Sequence, residues 1–303
     1  MSVFKLPPLL RFLACLLLFG LALYSPVLLG GQALYFRDVY HNYYTQLHFM
    51  RASLFQGELP FWNPLLFAGS PQMAVLEPPL FYPPGWIFFT ALPFQWALVC
   101  NLLFHHLLAG WGIYLFGQRF AWSFATRLLA ALFFCFSGVM ASLHSFHPLQ
   151  NTIAWLPLIW WAFQTCLSER KIQPFLCLSL FYGLQILSGH LEIVYFESGL
   201  LLFYALWFLR QGVLRPRDTR ASQVSKGLIQ LTSLAWGLLA LGLGVGLSAL
   251  QWLPALAHLP ETVRAEGLGE WSMVWSYHPF LSLLLLLPDY LNLTVKGVSL
   301  HQY

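Results

Sequence analysis

Charge is scarce in this chain. Lysine, arginine, aspartate and glutamate make up 9% of its 303 residues, against about 25% in a soluble domain. With hydrophobic residues at 58% and a mean hydropathy of +0.65, that scarcity excludes an ordinary water-soluble fold. Cysteine is also sparse: residues 15, 100, 135, 166 and 177 form no C-x-x-C pair, are odd in number, and lie in or beside apolar runs. This argues against a disulfide framework or a zinc site. The chain lacks an internal repeat and a nucleotide-binding domain. Gly242, Gly244 and Gly246 have a phosphate-loop spacing but lie within an apolar run, and they read as a G-x-x-x-G face for close helix packing. The net charge of +4 does not point to nucleic acid, because an asymmetry of basic residues across a membrane accounts for it.

The apolar runs read as seven membrane-spanning helices of an all-α, polytopic membrane protein: residues 9–29, 93–116, 128–143, 148–167, 175–187, 193–209 and 228–250. Residues 86–92 make a short dip before the second. Lys5 and Arg11 precede the first run, which is long for the apolar region of a signal peptide and has no A-x-A site after it. It reads as an uncleaved span with a cytoplasmic N-terminus. This topology leaves eleven of the fifteen Lys/Arg inside, with Arg37, Arg51 and Arg264 outside and Lys296 unassigned. The segment 280–287 is too short to cross and reads as an interfacial or re-entrant piece. The chain is expected to be one transmembrane domain over 1–303 and the N-terminal portion of something longer, its first extracytoplasmic loop covering 30–86.

Within that loop, residues 35–84 are the longest stretch unable to span. Tyr40, Tyr43, Leu47, Met50 and Leu54 fall on one helical stripe, and Asp38, His41, Thr45 and His48 on the opposite one. The pattern predicts a surface helix over 39–55, lying flat in the membrane interface. The remainder, with prolines at 60, 64, 71, 78, 79, 83 and 84 among aromatics, is expected to be an ordered loop with no long helix.

The ionisable residues left after the cytoplasmic cations gather on the outer side. Asp38, His190 and Glu192 stand out because they sit where a span meets its loop, a depth at which charge is costly. His144 and His147 flank a turn, and with His190 and Glu192 they could supply metal ligands, although H-x-x-H without a helix is weak evidence. His105 and His106 are expected to pack between helices. Asp38 could equally be a helix cap, and Arg264 could pair with Glu261 or Glu266.

The blocks F-R-D-V-Y-H-N-Y-Y (36–44), G-E-L-P-F-W-N-P (57–64), F-A-G-S-P-Q (67–72) and Y-P-P (82–84), followed by S-G-H (188–190), Q-W-L-P (251–254) and S-Y-H-P (276–279), resemble the N-terminal portion of bacterial YfhO-like membrane proteins. These belong to the GT-C class of glycosyltransferases that use polyprenyl-phosphate sugars. Glu77 departs from the pattern, which leads one to expect glutamine there. The resemblance implies a multi-pass protein of the bacterial inner membrane. It would move a sugar from a polyprenyl-phosphate donor to an extracytoplasmic cell-envelope acceptor, among membrane lipids and with no cofactor or resident metal. Asp38 would be the catalytic base, with His41, Asn63, Glu77, His190, Glu192 and Arg264 binding substrate, Arg264 as the partner of the leaving phosphate. A transporter or lipid flippase, which should show discontinuous spans, and a non-catalytic envelope scaffold are the competing expectations.

Overall fold

A computed structural model describes residues 7–34, 38–213 and 220–262, together with 265 and 267. Arg264 and the segment 280–287 lie outside the described residues. The described chain is all-helical. Its α-helices are α1 (Pro8–Leu23), α2 (Ser25–Leu28), α3 (Thr45–Phe55), α4 (Pro83–Ala91), α5 (Phe94–Arg119), α6 (Phe124–Cys135), α7 (Gly138–Ser142), α8 (His147–Ala154), α9 (Leu156–Glu169), α10 (Ile172–Leu187), α11 (Leu191–Val213), α12 (Arg220–Leu247) and α13 (Ala249–His258). Two compact units divide at residue 255, and the helices through α12 belong to the first. In the second, the described residues include a His258–Glu261 pair at 3.2 Å.

Four segments are long and apolar enough to cross a membrane: Phe94–Arg119, Phe124–Glu169, Leu191–Arg210 and Gly227–Leu247. α1 and α10 are apolar but only 16 residues each, short of the ~20 that a perpendicular span needs. The run 9–29 is not one helix. Pro26 has no N–H for the Ala22 carbonyl; the Ser25 hydroxyl bonds that carbonyl instead at 2.8 Å, and the helix breaks at Tyr24. The stretch 124–169 is likewise interrupted. Ser137 caps α7 through its hydroxyl, and Pro148 and Pro157 begin new helices at α8 and α9.

α5 is the axis of the first unit, packing against α1, α4, α6, α8 and α9. α10 lies against α9 and α12, and α11 against α12. At the α10–α12 crossing, a Cβ on Gly244 would come within 2.8 Å of the Ser179 carbonyl and one on Gly183 within 3.0 Å of the Gly244 carbonyl. Gly242 and Gly246 have nothing within 4 Å. Close packing therefore runs through the pair Gly183–Gly244 and not through a G-x-x-x-G face on α12.

Residues 39–55 form a continuous helix, beginning as a π-helical turn over Val39–Tyr44 and running on as α3. Tyr43, Leu47 and Met50 are buried, and His41, Thr45 and His48 exposed, as the stripes predict; Tyr40 is the exception, at 45% exposed. The buried stripe packs on protein: Val39, Tyr43 and Leu47 share a core with Tyr24, Phe89 and the first half of α5. An amphipathic pattern reports an apolar neighbour, and here that neighbour is α5 and α4 in place of the lipid expected from the sequence.

Candidate functional site

The proline-rich loop is fixed at several points. Asn63 and Ser70 exchange backbone hydrogen bonds at 2.8 and 2.9 Å. Buried amides then link the loop to the preceding helix, Asn63 to Gln72 (3.4 Å), Gln72 to Gln46 (3.0 Å) and Gln46 to Asn42. The side chain of Asn63 is thus occupied by the loop's own bonding, to Gln72 and to the Leu65 N–H. At the loop's end, His105 Nδ1 must donate to the Asn101 carbonyl (2.7 Å), which leaves Nε2 to accept from Tyr82 Oη–H (2.6 Å). Trp155 Nε1 donates in turn to that hydroxyl at 2.9 Å. His105 and His106 are buried between helices as expected.

Two contacts carry Glu77 to its partners. Gln251 of α13 holds the loop on both sides of Glu77, donating to the Val75 carbonyl (3.0 Å) and accepting from Phe81 N–H (3.3 Å). Between α10 and α11, Gly189 adopts φ +105°, and a Cβ there would stand 2.3 Å from the Leu76 carbonyl oxygen. Only glycine meets both demands, so the S-G-H turn and the loop can touch.

Where they touch, Glu77 Oε2 accepts from the Tyr43 hydroxyl at 3.0 Å, and Oε1 lies 3.5 Å from His190 Nε2. His190 Nδ1 faces Glu192 Oε2 at 3.1 Å, an ion-pair distance without hydrogen-bond alignment. Burial pushes the Glu77 carboxyl above its ordinary value. His190 and the Tyr43 hydroxyl oppose the rise, while Glu192 and Asp38 add to it. Asp38 is therefore within electrostatic reach of Glu77, and after burial and Glu77 it is the smallest of the influences that raise the Tyr43 hydroxyl. It stands at the N-terminus of the 39–55 helix without making a capping hydrogen bond through its side chain.

Glu77, His190 and Glu192, from two distant segments, thus form one group in contact, and Asp38 acts on it only through the field at Glu77. Among the described residues, no Lys or Arg makes an ion pair with Asp38, Glu77 or Glu192. Arg51 is engaged by the Leu92 carbonyl at 2.9 Å and by the Phe55 ring. His41 is exposed, with its ring edge-on to Tyr40, and joins the group through no contact. His144 and His147 diverge: His144 Nε2 lies 2.7 Å from the Tyr24 hydroxyl, while His147 packs on Tyr43 and Phe89. No set of three or more His, Cys, Asp or Glu among the described residues is placed to hold a metal ion.

Sequence reasoning missed Tyr43 as a partner of Glu77, since it read as one more apolar residue on the stripe. It also missed Glu197, 1% exposed within α11, although a carboxylate inside an apolar run is itself a signal. Compared with known protein families, curated proteins and solved structures, the chain has no match.

Proposed function

We propose that this protein is a YfhO-like, GT-C-class glycosyltransferase of the bacterial inner membrane, acting at the extracytoplasmic face. In this reading the chain crosses the membrane seven times from a cytoplasmic N-terminus, and the 30–86 loop lies outside. A polyprenyl-phosphate sugar enters from the bilayer. Asp38 takes the proton of the acceptor hydroxyl as its oxygen bonds the anomeric carbon, and the bond to the phosphate oxygen breaks with its electron pair on the phosphate. The configuration inverts. Glu77, His190 and Glu192 orient the sugar and acceptor, and Arg264 neutralises the departing phosphate.

The observation that supports this reading is the meeting of Glu77, His190 and Glu192, with Asp38 in electrostatic reach of Glu77, since it brings carboxylates from the first loop and the S-G-H turn together. The absence of a capping bond from Asp38 also weighs against a purely structural role for that residue. A test follows from membranes supplied with a polyprenyl-phosphate sugar. Asp38→Asn should express and fold like wild type while transfer falls about 10²-fold or more. Wild-type turnover by purified Asp38→Asn would remove Asp38 as the base. One observation favours an ion-coupled transporter instead, namely the interrupted helices across 124–169. Substrate uptake into vesicles without sugar transfer would establish that alternative.

A further inference from the structure

Glu197 lies about two turns into α11. Its Oε2 accepts a 2.6 Å hydrogen bond from Gln185 Nε2, and the same nitrogen donates to the Thr152 carbonyl at 3.2 Å. That carbonyl can only accept, so turning the amide over would set two acceptors face to face. The orientation of Gln185 is therefore fixed, and its Oε1 is left buried without a partner. Oε1 of Glu197 is buried and unpartnered too. The two orphan oxygens belong to the very groups that the 2.6 Å bond joins.

A buried carboxylate with one neutral donor and no counter-ion is costly. Among the described residues, no Lys, Arg or His forms an ion pair with Glu197. The elements packed on α11 offer little else that titrates. α10 contributes Cys177 and Tyr182, the latter bonded to Ser198 at 2.7 Å and electrostatically linked to Glu197. α8 contributes His147, occupied by Tyr43 and Phe89, and residues 227–247 of α12 contribute nothing ionisable. One proton resolves the arrangement. Placed on Glu197 Oε1, it removes the charge, and donated to Gln185 Oε1 across the existing 2.6 Å bond it would satisfy both orphan oxygens and close an acid–amide ring. The hydroxyls of Thr152 and Ser188, 2.6 Å apart, continue the polar run from Gln185 to the turn that carries His190.

We propose that Glu197 and Gln185 form a membrane-embedded proton-binding site, its ligand a single proton shared between their Oε1 atoms. This stands independently of the transferase reading. The full chain, purified in detergent, is examined by infrared spectroscopy at about pH 7. A neutral-acid carbonyl band is expected in wild type and is lost in Glu197→Gln, and sodium ions should leave it unchanged. Absence of that difference overturns the proposal, as does a band that disappears when sodium replaces choline, because a metal cation would then hold the site. Where Glu197→Gln fails to fold, wild type treated with dicyclohexylcarbodiimide decides. The reagent adds only to the acid: the carboxyl oxygen bonds its central carbon, the acid proton passes to a reagent nitrogen, and the adduct rearranges to an N-acylurea. An adduct on the Glu197 peptide, reduced tenfold or more at alkaline pH, supports the site, and an unmodified peptide at about pH 7 overturns it.

Discussion

Glu77 is held between opposed influences, and the balance has a sign that can be measured. Burial raises its carboxyl above the ordinary 4.5, and His190 and Tyr43 reverse only part of the rise. Through the window from 4.5 up to the raised native value, the folded chain binds more protons at this site than the unfolded chain. Its contribution to stability is thus complete below the window and is lost as pH rises through it. Thermal melts in detergent should show wild type losing stability over that rise. Glu77→Gln, which keeps an acceptor for the Tyr43 hydroxyl but cannot titrate, should lose measurably less. Parallel curves for the two proteins would mean that Glu77 does not titrate differently on folding. Gly189 operates at the same scale: its positive φ and the 2.3 Å approach to the Leu76 carbonyl hold the partner histidine next to Glu77.

Among the elements, α10 and α12 are joined most closely where two glycines meet. Gly244→Val should force the helices apart, because the obstacle is the Ser179 backbone at 2.8 Å and not a side chain that can turn aside. A loss of about 1–3 kcal/mol is expected, read as a lower midpoint of unfolding in detergent. Gly246→Ala meets nothing within 4 Å and should be neutral or stabilising by up to about 1 kcal/mol through helix propensity. Equal effects from the two would show that the crossing does not depend on Gly244. The sequence made the helices themselves legible: apolar runs mark most of α5, α10, α11 and the second part of α12, and the helix over 39–55 has a clear stripe. Breaks at Tyr24, Ser137 and Trp155 were harder to read, because Pro26, Ser137 and Pro157 lie inside runs whose hydrophobicity continues across them, whereas Pro148 coincides with the boundary that the sequence already marks. What covers a stripe is not encoded in its period, so Tyr43, Leu47 and Met50 suited lipid as well as they suit α5. The contact between Glu77 and His190 had no local signal either, since it depends on a turn and a loop far apart in the chain meeting at Gly189.

For the first unit as a whole, ionisable groups separate along its helices. Glu77, His190 and Glu192 meet where α10 ends and α11 begins, with Asp38 in electrostatic reach of Glu77. At the other end of α10, Lys171 pairs with Glu169 at 3.0 Å, and Arg119 reaches Thr165 and Ser168. Between these ends α11 exposes Tyr195, Phe196, Leu200, Phe203 and Leu206, and α12 exposes Leu228, Leu231, Leu239 and Leu243. Apolar side chains so exposed on neighbouring helices fit a hydrocarbon environment and would be a liability in water. In the proposed orientation the basic residues are retained on the cytoplasmic side and the carboxylate end would face outward. A membrane-impermeant thiol reagent can decide this once the five free cysteines are replaced. Applied to intact cells, it should label Ser70→Cys, on the loop that carries Glu77, and should reach Thr219→Cys, among the basic residues after α11, only once the membrane is permeabilised. The reverse pattern would turn the carboxylate group toward the cytoplasm, away from the envelope acceptor, and with it the transferase reading would fail.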